Sequence, residues 1–198
     1  MNKPFSPSCE RNQLFILDVL KKIIKPQQKN LFEIGTGTGQ HAVFMAPHFL
    51  HLLWHTSDLK ENHEGINMWI NEYVHKNIAR PIEYEVDQTC FPLIQIDVVY
   101  TTNTLHIMSW KNVQKLIKQM GENLSIGTDI IIYGPFNYAG KYTSDSNADF
   151  DQWLKQNNPY SAIRDFESIE SLMLKADIRL EQDIPMPANN NILHFIKN

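Results

Sequence analysis

Nothing in this chain of 198 residues invites a nucleic acid or a membrane. Its 18 Lys and Arg are scattered without a cluster, against 22 Asp and Glu, for a net charge of −4. A protein that tracks a phosphate backbone carries a basic stripe, so a polyanionic partner is disfavoured. No apolar run is long enough to cross a bilayer. The opening MNKPFSPSCERN lacks the apolar core of a signal peptide, so none is expected. Cysteine is scarce: Cys9 and Cys90 lie far apart and form no metal-type pair. They read as reduced thiols, and the protein is expected to be cytoplasmic. The eight histidines lack company. His48/His51 and His51/His55 have no Cys or acid at ligand spacing, and no HExxH is present, so no metal site is expected. Internal repeats, low-complexity tracts and linkers are missing too. With 42% hydrophobic and 20% charged residues, the chain reads as one globular domain, residues 1–198, around one core.

What is present alternates. Leu14, Leu17, Leu20 and Ile24 recur at helical spacing before Pro26. Leu31–Gly35 predicts a strand, residues 40–49 a helix, and His51–Asp58 a second strand. Glu61–Asn77 reads as a helix and Ile82–Val86 as a third strand that ends in Asp87. Ile96–Thr101 is a β-branched buried strand, Trp110–Leu124 a helix, Thr128–Tyr133 a fifth strand. A polar loop over Gly134–Ala148 is long enough to suggest a lid. Helices follow near Asp149–Gln156 and Glu167–Lys175. Strands at Ile178–Ile184 and Ile192–Ile196 have no helix between them. They must form an antiparallel hairpin, because a parallel crossover needs more chain. The expectation is an α/β, Rossmann-like fold: a seven-stranded, mostly parallel sheet with a C-terminal antiparallel hairpin and helices on both faces. That is the arrangement of class I methyltransferases.

The strongest local signal is LFEIGTGTGQH. A strand runs into a helix through Gly35, Gly37 and Gly39, with Glu33 just before them. Such turns hold nucleotides. The dinucleotide fingerprint G-x-G-x-x-G would place its third glycine at Gln40, so the match fails. A pyrophosphate at the helix N-terminus would be repelled by an ionised Glu33, and an unpaired buried carboxylate costs several kcal/mol. A ligand with an ammonium group and no phosphate turns that cost into attraction. S-adenosylmethionine is such a ligand. Asp58, at the end of the second strand, is placed to accept from ribose hydroxyls, and Asp87, at the end of the third, to meet the adenine edge. Each has a plain alternative: a glycine turn that only connects, or an acid that only caps a helix, as Asp58 before LKENH would. Acids at successive strand ends in chain order favour the cofactor reading.

The segments SPSCERN (6–12), EIGTGTGQHA (33–42), WHTSD (54–58), NTLHIMSW (103–110), YGPF (133–136), YTSDSNADFDQWL (142–154), IRDFE (163–167) and MPANNN (186–191) resemble, nearly end to end, one particular family. It is the family of unassigned function within the class I S-adenosylmethionine methyltransferases that includes methyltransferase-like protein 26. The resemblance implies the methyltransferase fold and S-adenosylmethionine as cofactor, and leaves the substrate open. Asp177-Ile178 stands where similar sequences have Gly-Leu, and alanines usual near Ser8 and Cys9 are replaced.

Methyl transfer needs alignment and the exclusion of water; a base matters when the acceptor must lose a proton. In the loop after the fourth strand, Asn103 is a candidate for the cofactor's amino-acid end and His106 for the base. His106 packed beside Leu105 and Ile107 is the alternative. Tyr138, Asn147, Arg164 and Asn189 are candidates for acceptor binding, with Asp151 also in the lid region. Arg164 carries a planar fork suited to a carboxylate or phosphate; an ion pair with Asp165 or Glu167, or a cap on a carbonyl, is the alternative. Asn189 and Asn190 also suit a tight turn on their own account. Arg11, opening the first helix, could approach the methionine carboxylate, with surface exposure as the alternative. NNPY (157–160) lies too far downstream, and lacks a proline, to be an amino-group methyltransferase motif. The expected function is an S-adenosylmethionine-dependent methyltransferase acting on a small molecule within a lidded cleft. A non-catalytic S-adenosylmethionine-binding module is the alternative, followed by an NAD(P)-dependent oxidoreductase, which lacks its Tyr-x-x-x-Lys pair and third glycine.

Overall fold

The computed structural model describes residues 2–198. Seven strands form one sheet, in the spatial order β3 (Ile78–Glu83), β2 (Leu53–Asp58), β1 (Asn30–Ile34), β4 (Val98–Thr102), β5 (Asp129–Gly134), β9 (Asn190–Lys197) and β8 (Ile178–Met186). β1 pairs in parallel with β2 and β4, and β2 with β3. β9 runs antiparallel to both β5 and β8. This is the expected mostly parallel sheet with a reversed hairpin at its C-terminal end. The chain divides into two compact units, one running up to Thr101 and the other from Thr102 to Asn198.

In the first unit, α1 spans Pro7–Ile23. Pro7 suits the first helical position, where its missing N–H costs nothing. Ile16, Leu17, Leu20 and Ile23 form the buried stripe, whereas Leu14, assigned to it from spacing, is 62% exposed. β1 (Asn30–Ile34) leads through the glycine turn to α2 (Gln40–Met45), shorter than expected because Pro47 lies in a 3₁₀ turn over Ala46–His48. β2 spans Leu53–Asp58. After a 3₁₀ turn, α3 covers His63–Asn71.

The third strand is displaced from its expected place: β3 spans Ile78–Glu83, with Pro81 inside it. Proline is tolerated because β3 is the sheet edge and offers one free side. Residues 84–97 then lead to β4 (Val98–Thr102) without a helix, so the alternation breaks once. Tyr84 and Phe91 from this connection pack edge-on against Phe32 with centroids 5.7 and 5.8 Å apart, and cover that side of β1 in a helix's place.

In the second unit, Ser109 caps α4 (Trp110–Asn123) by accepting from the Asn112 amide, and Val113, Leu116, Ile117 and Met120 bury one face. β5 (Asp129–Gly134) is buried throughout. The expected long loop is more ordered than its composition suggests. β6 (Phe136–Asn137) pairs in parallel with β7 (Arg164–Asp165), and α5 starts at Asp145, capped by Ser144, and runs to Asn157. α6 (Phe166–Lys175), β8 (Ile178–Met186) and β9 (Asn190–Lys197) complete the chain. A buried His194–Asp129 contact of 2.7 Å ties β9 to β5. Among the described residues no helix is long and apolar enough to cross a membrane.

Two turns explain sequence features directly. Ala188 and Asn189 both have positive φ, 57° and 56°, as a primed hairpin turn requires. Asp177 also takes φ +57° after α6, the conformation that glycine adopts freely. An L-residue there is strained by about 1–2 kcal/mol. Asp177→Gly is therefore expected to raise the melting temperature by about 2–4 °C, since about 1 kcal/mol moves a domain of this size that far. A thermal melt checks it, and a lower midpoint would count against strain at this cap.

Candidate functional site

The first unit builds its candidate site where β1 and β2 end. Glu33 is 2% exposed. Its Oε2 accepts from Trp54 Nε1 at 2.9 Å and from Thr36 Oγ1 at 3.1 Å. Its Oε1 has no hydrogen-bond partner among the described residues. Burial lifts the Glu33 carboxyl to about 7, against the pull of the Trp54 and Thr36 hydrogen bonds, with Asp58 adding to the rise. Near neutral pH this group is thus balanced between its two forms. A cation at Oε1 would tip it towards the carboxylate.

Gly35, Gly37 and Gly39 all have positive φ, of 70°, 64° and 93°. The last two differ in what surrounds them. A Cβ on Gly39 would stand 3.2 Å from Ile66 Cα and 3.3 Å from Ile66 O and Trp69 Cβ, so this glycine lets α2 approach α3. A Cβ on Gly37 would meet nothing within 4 Å. The turn is open at that point.

Asp58 serves two turns at once. Its Oδ1 accepts from the Leu59 amide at 2.8 Å and from Asn62 Nδ2 at 2.7 Å, which secures the 3₁₀ turn behind it. Its Oδ2 accepts from the Gly37 amide at 2.6 Å, so it also braces the glycine turn. A carboxylate offers about four acceptor positions, which leaves room for a further donor. Asp87 departs from its expected position. The strand ends at Glu83, and Asp87 lies exposed in a turn beyond it. The strand expected over Ile82–Val86 extends too far along the chain, because Tyr84 and Val86 are buried although they lie in the connection beyond β3.

The N-terminal segment is tied to this turn. Trp69 Nε1 donates to Pro4 O at 2.8 Å, and Lys3 Nζ lies 3.6 Å from the centre of the same indole ring. The Ser6 amide donates to Gln40 Oε1. His41 Nε2 meets Asn12 Oδ1 at 2.8 Å, and His41 Nδ1 lies 3.9 Å from Cys9 Sγ. Burial lowers the His41 imidazole to about 4 and pushes the Cys9 thiol up, so both are neutral near pH 7. SPSCERN and GTGQH are thus in contact, which spacing alone could not reveal. Arg11 itself is exposed on α1.

The second unit carries the other candidates. Asn103 follows β4 with φ +56°, its amide donating to Tyr133 O at 2.9 Å. Asparagine is among the few residues that tolerate this conformation, and such strain concentrates at functional sites. His106 is 5% exposed. Its ring packs edge-on against Phe150, with centroids 5.4 Å apart, and a Cβ on Gly134 would lie 3.7 Å from its Nδ1. Neither ring nitrogen has a hydrogen-bond partner among the described residues. Burial, with the nearby Arg164 cation, lowers the imidazole to about 4.

Arg164 corrects an expectation. Its Nε donates to Leu105 O at 3.1 Å, and its Nη2 to Tyr160 O at 2.9 Å and to Met108 O. The fork that would clamp a carboxylate instead holds the Leu105–Met108 loop, which is the carbonyl-capping alternative. Other acceptor candidates are also engaged in the scaffold. Asn147 Nδ2 donates to Thr143 Oγ1 at 2.9 Å and to Asn189 O at 3.0 Å, so these two asparagines brace α5 against the hairpin turn. Tyr138 stacks on Phe166 and donates to Asp183 Oδ2 at 2.7 Å. Asp151 accepts from Tyr142 at 2.7 Å and from the Ile163 amide at 2.6 Å, and pairs with Lys155. Two buried oxygens that the sequence did not single out, Thr102 Oγ1 and Asn137 Oδ1, lack a partner among the described residues. Each sits beside a motif residue already noted, Asn103 and Tyr138.

Strand order, reversed hairpin and acid–glycine turn together define the class I methyltransferase fold. The chain belongs to the family described as "Protein of unknown function (DUF938)", whose model matches residues 3–197. Among solved structures, it is similar to the S-adenosylmethionine-dependent methyltransferase SibL, with 16% identity and a TM-score of 0.79 over 96% of this chain and 55% of that one. An O-methyltransferase family 2 protein from Planctomyces limnophilus in complex with apigenin gives 14%, 0.77, 94% and 62%. Human N-acetylserotonin methyltransferase in complex with S-adenosylmethionine gives 13%, 0.78, 96% and 53%. This chain therefore spans 53–62% of the length of these relatives in fold.

Proposed function

We propose that this protein is an S-adenosylmethionine-dependent methyltransferase acting on a small-molecule acceptor. The observation that carries the reading is Glu33: a buried carboxylate beside an open glycine turn, with one oxygen unclaimed by the described residues. The residues fit the cofactor. Glu33 Oε1 would meet its ammonium group, the open face of Gly37 would admit its backbone-hugging portion, and Asp58 keeps acceptor capacity for a ribose hydroxyl. Asp87 and Asn103 are the further cofactor candidates. The same carboxylate disfavours a diphosphate, which ranks an NAD(P) enzyme lower.

When bound, S-adenosylmethionine supplies a methyl group already activated on a sulfonium. The chain's own contribution is orientation, dryness and one proton transfer. His106 is neutral above about pH 4 and has an unpaired nitrogen, so it can accept the proton of an acceptor hydroxyl. Arg164 acts at one remove, by holding the loop that carries His106. Tyr142 and Asn147, latched to Asp151 and Asn189, order the segment read as a lid.

Isothermal titration with S-adenosylmethionine and, separately, NADH tests the first step. Saturable binding of the former is expected; binding of NADH alone would overturn the reading. Turnover to S-adenosylhomocysteine with a metabolite extract distinguishes an enzyme from a binding module. The two glycines give a paired prediction. Gly39→Ala is expected to lower the melting temperature by roughly 5–10 °C, because left-handed strain and the clash with Ile66 add together. Gly37→Ala is expected to cost about half of that or less, yet to weaken S-adenosylmethionine more than about tenfold, since its methyl group fills the ligand's space. Thermal melts and titration of both variants check the contrast.

A further inference from the structure

Building on the methyltransferase reading, we propose that Phe150 and Trp153 of α5, with His106, form the acceptor-binding shelf, and that the acceptor is a planar aromatic ring bearing a hydroxyl and no anionic group. Phe150 and Trp153 lie one helical turn apart, their rings nearly parallel at 14° with centroids 5.9 Å apart. Such a displaced pair presents a broad π-face, to which a third ring can add in the same offset geometry. Trp153 is 56% exposed, so the outer face of the pair is open to a ligand. Ile107, at 51%, and Tyr160, at 71%, extend the apolar surface. They are held together through Ser161 Oγ, which donates to Ile107 O at 2.7 Å, and through the Arg164 contact with Tyr160 O.

The polar end of the shelf is the His106 imidazole. It stands at 75° to Phe150 with ring centroids 5.4 Å apart, so it borders the aromatic pair. A ring nitrogen without a protein partner offers one acceptor to one donor, which is what a hydroxyl supplies. Charge selects against anions. Arg164 is already committed to three main-chain carbonyls, and Lys155 to Asp151. A carboxylate or phosphate on the acceptor would find no free cation in either of them.

Calorimetric titration of the whole chain, with S-adenosylhomocysteine present, tests this with three probes of one size. They are 2-naphthol (planar, neutral), decahydro-2-naphthol (same hydroxyl, not planar) and 2-naphthoate (planar, anionic). 2-Naphthol is expected to bind at least tenfold more tightly than either of the others. Trp153→Ala, at a solvent-facing position, is expected to weaken it by about tenfold, equivalent to ~1.4 kcal/mol, without changing S-adenosylmethionine affinity. Equal binding of the saturated alcohol, preference for the carboxylate, or an unchanged affinity in the Trp153 variant would overturn the proposal. If S-adenosylmethionine itself fails to bind, the methyltransferase reading falls and takes this one with it. If it binds while 2-naphthol shows no preference, only the acceptor assignment falls.

Discussion

Glutamine in place of Glu33 is expected to weaken S-adenosylmethionine binding by roughly 10–100-fold, because a hydrogen bond to a charged group contributes about 1.5–3 kcal/mol. The substituted amide keeps an oxygen for Trp54 and Thr36, so the turn should persist. The pH dependence supplies the sharper test. In the unliganded protein the Glu33 carboxyl is raised from 4.5 to about 7, so the native state holds a proton that the unfolded chain has released. Stability should therefore fall as pH rises from about 4.5 to 7, by up to about 3 kcal/mol at 1.36 kcal/mol per unit. The Glu33→Gln variant lacks that loss, so above pH 7 it should melt several degrees higher than the parent while binding the ligand less well. Ligand affinity of the parent should climb through the same window, as the ionised form becomes available to the ammonium group. Titration and melting at pH 5.5, 6.5 and 7.5 give all of these quantities. A Glu33→Gln protein that binds S-adenosylmethionine as tightly as the parent at pH 7.5 would remove the carboxylate from the cofactor site.

The second large effect concerns His106. His106→Gln is expected to lower kcat/KM for a hydroxyl acceptor by about 10²–10⁴-fold, the range of a lost general base, with S-adenosylmethionine affinity unchanged. Burial and Arg164 depress the imidazole to about 4, so it stays unprotonated across the ordinary working range. The parent's kcat/KM should consequently show no descending limb near pH 6.5, where an exposed histidine would titrate. Steady-state rates of S-adenosylhomocysteine formation from pH 5.5 to 8.5 check both statements. Full activity in the glutamine variant would return His106 to a packing role.

Much of the candidate site is legible in the sequence because its signals are local. Glu33, the glycines and Asp58 lie at the ends of β1 and β2, where a strand turns towards a helix, and chain order alone places them. The hairpin at the C-terminus follows from the length of its connection. Asp87 is not where spacing puts it, because Tyr84 and Val86 imitate a strand; they are buried residues of the β3–β4 connection, with Tyr84 against Phe32. The role of Arg164 is not legible because its carbonyl partners lie four residues away and more than fifty away along the chain. The same holds for Trp54, which supports Glu33 across 21 residues, and for Asn12 on His41 across 29.

By itself, then, the order of residues determined the fold class, the reversed hairpin and the acid–glycine turn, since each depends on periodicity, connection length or backbone conformation within a few residues. Tertiary structure alone decided which polar groups are already satisfied. Hydrogen-bond partners come from distant strands and helices, and burial sets whether a carboxylate or an imidazole carries charge. It was this accounting that left Glu33 Oε1 and the His106 ring unclaimed, and that turned Arg164 and Asn147 into scaffold.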